Sequence, residues 1–126
     1  MQSATTRPNI EKAVYYFTHE IAAALDYMHT RQVIHRDIKG GNVLISHQGM
    51  VKICDLGVAK KNQGTGRRRP GVYSTLIGTP HFLSPEIAQL RKKKKASMYT
   101  FSADIWSAAA TTYEMIALAP PKVCVV

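Results

Sequence analysis

The stretch "VIHRDIKGGNVLI", residues 33–45, decides how this chain is read. Two short apolar runs, Val33-Ile34 and Val43-Leu44-Ile45, enclose His35, Arg36, Asp37, Lys39 and Asn42. The span between the runs is too short for a helix, so it reads as an ordered loop between a strand and a hairpin. Gly40-Gly41 permits a tight path that larger residues would resist. The polar groups therefore converge. An aspartate, a lysine and an asparagine in one loop suit a reaction in which a hydroxyl is oriented, a developing anion meets a cation, and a metal receives an oxygen ligand. A second carboxylate, Asp55, arrives at the end of the hairpin and is followed by Gly57. Two acids and an amide around one point commonly hold magnesium and the phosphates of a nucleotide.

Upstream of this loop, Val14, Phe17, Ile21, Leu25 and Met28 recur at spacings of three and four, which predicts an amphipathic helix over residues 11–30 with Asn9 as its N-cap. Downstream, Val43–Ile45 and Val51–Ile53 predict two strands joined across Ser46-His47-Gln48-Gly49. Residues 58–80 carry glycine and proline with few apolar side chains, the pattern of a long functional loop. A short apolar segment, Ile87–Leu90, follows. A second helix is predicted from Ser102 to about Leu118, capped by Ser102 and stopped by Pro120-Pro121. Its inward side is expected to carry Ile105, Ala109, Thr112 or Tyr113, and Ile116, with Trp106 also in the core.

At 126 residues the chain has the length of one ordinary domain, and 45% of it is hydrophobic, as in globular proteins. The net charge of +9 is local: Arg67–Arg69 and Arg91–Lys95 hold eight of the seventeen basic residues, leaving nine against eight acids. Two short blocks fit solvated loops better than a nucleic-acid groove, so nucleic acid is not the expected partner. Cys54 and Cys124 have neither the number nor the spacing of a disulfide framework or zinc site, which points to a reducing, cytoplasmic setting. The basic run 91–95 also fits a nuclear-import signal. The sequence shows no signal-peptide pattern and no run long enough to span a bilayer, so no membrane association is expected.

Four motifs now stand in order: "HRDIKGGN" at 35–42, "DLG" at 55–57, "GTPHFLSPE" at 78–86, and "DIWS" through "YEM" at 104–115. Together they resemble a protein kinase catalytic domain of the Ser/Thr type. Lys39-Gly40 and the "GTPHFLSPE" segment look most like the sterile-type group, which includes the MAP-kinase-kinase-kinases. The resemblance implies an α+β, mainly helical fold: residues 1–126 would form a kinase C-lobe fragment with a short β-hairpin, the N-lobe being absent. It implies ATP and Mg2+ as cofactors and a protein substrate in a signalling cascade. Asp37 would orient the substrate hydroxyl and accept its proton, and Lys39 would meet the transferred phosphate. Asn42 and Asp55 would hold magnesium, Leu44 and Cys54 would line the adenine pocket, and Thr79 would touch the catalytic base. Asp104 would bond the catalytic-loop backbone, and His35 would stack with Leu56 in an apolar spine. Arg36 would pair with a phosphorylated loop residue, Thr75 being the best-placed acceptor for an upstream kinase and Ser74 the second.

The chain departs from the family pattern in specific places. No phosphate-covering glycine loop and no anchoring lysine of the V-A-I-K type occur in it: Gly64-Thr65-Gly66 follows "DLG", and Lys52 lies within the hairpin. The arginine expected to pair with Glu86 is also missing. Ala108 and Ala109 replace larger or glycine residues, and Leu118 replaces a glycine. The resulting expectation is a kinase segment that is inactive alone and transfers phosphate in the complete domain. The alternative is an inactive, truncated kinase that binds partners through the Thr79 region.

Overall fold

A computed structural model of the chain describes residues 7–61, 72–73, 78–93 and 97–122. Its elements run α1 (Arg7–Thr30), β1 (Val33–Ile34), β2 (Val43–Ile45), β3 (Val51–Ile53), β4 (Lys60–Lys61), β5 (Val72–Tyr73), β6 (Ser97–Met98 in space beside β5), with α2 (Pro85–Lys92) before β6 and α3 (Phe101–Ala117) after it. Short 3-10 turns at Gly40–Asn42, Leu56–Val58 and Pro80–Phe82 shape the loops between them. The described fold is mainly helical, and its strands form three antiparallel pairs: β1 with β4, β2 with β3, and β5 with β6.

Helix α1 buries the predicted stripe. Ile21 and Leu25 are buried, and Val14, Phe17 and Met28 are half-buried. Its start differs from expectation, because the chain is already helical at Arg7 and Asn9 sits inside the helix. An N-cap residue needs non-helical dihedrals, so Asn9 cannot serve as one. Pro8 is tolerated there because early helical amides have no intrahelical acceptor to lose.

The hairpin forms in the predicted register, with Val43 opposite Ile53 and Ile45 opposite Val51. Ser46 closes its turn twice: its carbonyl accepts from Gly49 N–H at 2.8 Å, and its hydroxyl accepts from Met50 N–H at 3.0 Å. Gly49 takes φ 81°, which costs glycine nothing. The inner sides of Val43, Val51 and Ile53 pack on Ile21, Leu25 and Ile38, joined by Ala108 from α3. Each fully buried aliphatic side chain here contributes about 1.5–3 kcal/mol. A second cluster of Ile34, Leu83, Ile87, Ala88, Tyr99 and Ala103 ties α2 to the start of α3.

Helix α3 corrects three expectations. Its N-cap is Thr100, and Ser102 lies within the first turn, where its hydroxyl bonds that of Thr100. The residues it buries are Ala103, Asp104, Ala110 and Thr111. Ile105, Tyr113 and Ile116 are more than half exposed, Ala109 is exposed, and Trp106, expected in the core, is 43% exposed; of the expected inward residues Thr112 is half-buried, with its hydroxyl 3.0 Å from that of Thr18 on α1. The helix carries apolar residues on two faces, so periodicity alone does not choose between them. Burial of the Asp104 carboxylate against three donors fixes the rotation and turns the small residues inward. The helix ends at Ala117, before the two prolines, with Leu118 as a left-handed C-cap at φ 54° that donates to Glu114 O at 2.8 Å.

Candidate active site

The loop after β1 depends on one buried carboxylate. Asp104 is 1% exposed; its Oδ2 accepts from His35 N–H at 2.8 Å and its Oδ1 from Arg36 N–H at 2.9 Å. His29 Nε2 lies 2.8 Å from the same Oδ2. These bonds hold Arg36 at φ 73°, a left-handed conformation that costs a β-carbon residue about 1–2 kcal/mol. His35, fully buried, accepts from Asp37 N–H at Nδ1 (3.2 Å), which leaves the ring proton on Nε2 to be donated to Cys54 O at 2.9 Å. The loop and the end of the hairpin are thereby locked together.

On this platform the side chains of the loop meet those of a distant segment. Asp37 Oδ1 accepts from Thr79 Oγ1 at 2.9 Å, although 42 positions separate the two residues. Lys39 Nζ donates to the same Thr79 oxygen at 2.9 Å and lies 3.5 Å from Asp37 Oδ2. Lysine can only donate and a carboxylate can only accept, so the Thr79 hydroxyl must pass its own proton toward Asp37. Asn42 Nδ2 donates both to Asp37 O at 2.8 Å and to Asp37 Oδ2 at 3.2 Å. The structure thus brings Asp37, Lys39, Asn42 and Thr79 together.

Asp55 and Asn42 are joined through the backbone, since Cys54 N–H donates to Asn42 O at 2.9 Å. Asp55 is exposed, at φ 62°, and forms no ion pair with any described residue. Both Nδ2 protons of Asn42 are used on Asp37, so its Oδ1 is the atom left to face outward chemistry. One amide oxygen and one carboxylate are hard donors that suit Mg2+ with waters and phosphate oxygens completing its shell. Leu44, on β2 opposite Lys52, is 52% exposed, and Cys54 is a half-buried free thiol. Of the two residues of the expected apolar spine, His35 is buried and Leu56 is 59% exposed. Leu56 opens the short turn Leu56–Val58 and belongs to neither core cluster.

Arg36 is 5% exposed; its Nε donates to Val58 O at 2.6 Å, and its guanidinium lies 5.5 Å from the Tyr99 ring centre. Thr75 and Ser74, named as phosphorylation sites, lie outside the described residues, as do Gly64–Gly66, Arg67–Arg69, Lys94, Lys95 and Cys124. Glu86 is exposed and forms no ion pair with a described residue. No helix among the described residues is long and apolar enough to cross a membrane.

Sequence reasoning missed three contributors. His29 carries no local signal for its contact with Asp104, because 75 positions separate them. Ser107 Oγ donates to Phe82 O at 2.7 Å and ties α3 to the turn after Thr79. Gly78 takes φ 112°, and a β-carbon there would stand 2.6 Å from Leu83 Cδ2 and 3.2 Å from Arg36 O. Only glycine fits. The "GTP" motif signalled this position, but not its steric cause. Of Gly40-Gly41, by contrast, only Gly40 is closely approached, by Glu114 Oε2 at 3.3 Å from a β-carbon position.

A carboxylate and a cation on a loop anchored to a buried helical aspartate, clasped by a hydroxyl from a distant segment, form the constellation expected of a phosphotransferase. The family described as "Protein kinase domain" matches residues 4–123, and this chain belongs to that family. Several of its relatives are named as serine/threonine-protein kinases. Over 102 residues it is 41% identical to serine/threonine-protein kinase 10-A of Xenopus laevis, covering 81% of this chain and 10% of that protein. It is 40% identical over 111 residues to the Nik-related protein kinase of Mus musculus, covering 88% of this chain and 7% of that protein. A third relative, sporulation-specific protein 1 of Saccharomyces cerevisiae, is 38% identical over 111 residues, or 88% of this chain and 21% of that protein. The chain therefore spans at most about a fifth of the length of these relatives. The family generally uses ATP and Mg2+ and acts on protein substrates.

Proposed function

We propose that residues 33–58 and 78–86 supply the catalytic half of a Ser/Thr protein kinase that moves the terminal phosphate of ATP to a protein hydroxyl. The observation that carries this reading is the meeting of Lys39 and Thr79 at the Asp37 carboxylate. Asp37 retains acceptor capacity beyond the bonds from Thr79 and Asn42, so a substrate hydroxyl can donate to it. As the hydroxyl oxygen bonds to the terminal phosphorus and the bond to the ADP oxygen breaks, Asp37 takes the hydroxyl proton. Lys39, held in place through Thr79, offsets the charge spreading over the phosphoryl oxygens. Asn42 Oδ1 and the Asp55 carboxylate would hold magnesium, which supplies neutralisation of phosphate charge when bound. Leu44 and Cys54 would face the nucleotide's base. Phosphorylation of Thr75 by an upstream kinase, answered by Arg36, would order the loop before Gly78.

Activity is proposed for a complete kinase domain containing this segment. The 126-residue chain alone lacks a glycine loop and anchoring lysine of the family pattern, and positioning provides most of phosphoryl-transfer catalysis. The test measures phosphate transfer from labelled ATP to a protein substrate by the longest natural product that contains residues 1–126. Asp37→Asn is expected to lower kcat by about 10²-fold or more. Equal rates in the wild type and the variant would exclude Asp37 from the chemistry.

A further inference from the structure

Ser84 occupies the N-cap position of α2, where a serine hydroxyl ordinarily accepts from an amide of the first turn, yet its side chain makes no capping bond. Its carbonyl, not its hydroxyl, receives the Ala88 N–H at 2.9 Å. The residue is 2% exposed, and its Oγ has no hydrogen-bond partner among the described residues. A buried hydroxyl in that condition is costly, which makes its surroundings informative. They form a small cavity of about 10 Å³ lined by Arg36, Ser84, Tyr99, Asp104 and Ser107, with apolar walls from Leu83, Ile87 and Ala103.

Unused hydrogen-bonding capacity faces the same place from α3. Among the described residues Asp104 Oδ1 accepts only the Arg36 N–H, whereas Oδ2 is shared by His35 N–H and His29, so Oδ1 retains an acceptor site. Ser107 Oγ shares its proton between the carbonyls of Phe82 and Ala103, and its lone pairs receive no donor from the described residues. The volume suits about one water molecule, and a buried water needs two to four polar partners. We infer that this cavity is a binding site for a single structural water, which accepts from Ser84 Oγ and donates to Asp104 Oδ1 or Ser107 Oγ. The site joins the start of α2 to the carboxylate that holds Arg36 in its left-handed conformation. It is independent of the proposed catalytic role.

A crystal structure of the 126-residue chain, paired with thermal unfolding of the wild type and Ser84→Ala, tests the assignment. The expected result is one ordered water within hydrogen-bond distance of Ser84 Oγ and of Asp104 or Ser107, together with a Tm for Ser84→Ala lower by about 3 °C or more. A dry or collapsed cavity in the wild type, or a Ser84 hydroxyl turned to cap α2, would overturn it. An unchanged or higher Tm in Ser84→Ala would also overturn it, because removing a truly unsatisfied hydroxyl relieves the protein of its desolvation cost.

Discussion

Replacing Asp104 by alanine should be among the most damaging single changes in this fold. The substitution leaves the His35 and Arg36 amides, now bonded at 2.8 and 2.9 Å to a carboxylate that is 1% exposed, without acceptors. Each buried donor left unsatisfied costs about 1–3 kcal/mol, and the Arg36 backbone loses what holds it at φ 73°. The expected loss is about 3–5 kcal/mol, against a total stability of about 5–15 kcal/mol for a typical domain. In urea, with a slope of about 2 kcal/mol per molar, the midpoint should fall by roughly 1.5–2.5 M. Asp104→Asn keeps one acceptor but must turn an amide donor toward a backbone N–H, so about 1–3 kcal/mol is expected. Hydrogen exchange should show the His35 and Arg36 amides losing protection ahead of those in the middle of α1. An alanine variant within about 0.5 kcal/mol of the wild type, the range of ordinary surface substitutions, would refute the claim that this carboxylate organises the loop.

Two further changes probe backbone conformation. Leu118→Gly should raise stability by about 0.5–1 kcal/mol, read as a higher urea midpoint, because a side chain at φ 54° is strained and this one, 89% exposed, has little packing to lose. A lower midpoint would contradict the C-cap geometry. Gly78→Ala should cost about 1–3 kcal/mol by the same measurement, since its β-carbon collides with Leu83 at a φ of 112°. A neutral substitution would show that the turn before Thr79 takes another path.

The sequence made the local parts of this account legible and left the long-range parts open. Helix α1 and the hairpin carry their periodicity within a few residues, so their buried faces follow from spacing alone. Helix α3 does not: with Ile105, Tyr113 and Ile116 on one side and Ala103, Ala110 and Thr111 on another, the larger residues suggested the wrong inward face. A buried, fully bonded aspartate outweighed hydrophobic size, and that depends on His35 and Arg36, nearly seventy positions away. The same holds at the site. The motif order indicated that Asp37, Lys39 and Thr79 belong together, but the direction of the hydroxyl bond and the strain at Arg36 required coordinates. The exposure of Leu56 was likewise not legible, because a motif gives a residue's register and not how much of it is covered.

The most direct test of the central claim is to locate a divalent cation on the chain by NMR with Mn2+, whose paramagnetism broadens nearby signals. If Asn42 and Asp55 serve one ion, the Asn42 side-chain amide and the Asp55 backbone amide broaden together, Mg2+ reverses the effect, and Asp55→Ala abolishes it at both positions. Broadening at only one of the two in the wild type, or broadening that survives Asp55→Ala, would contradict a shared magnesium site.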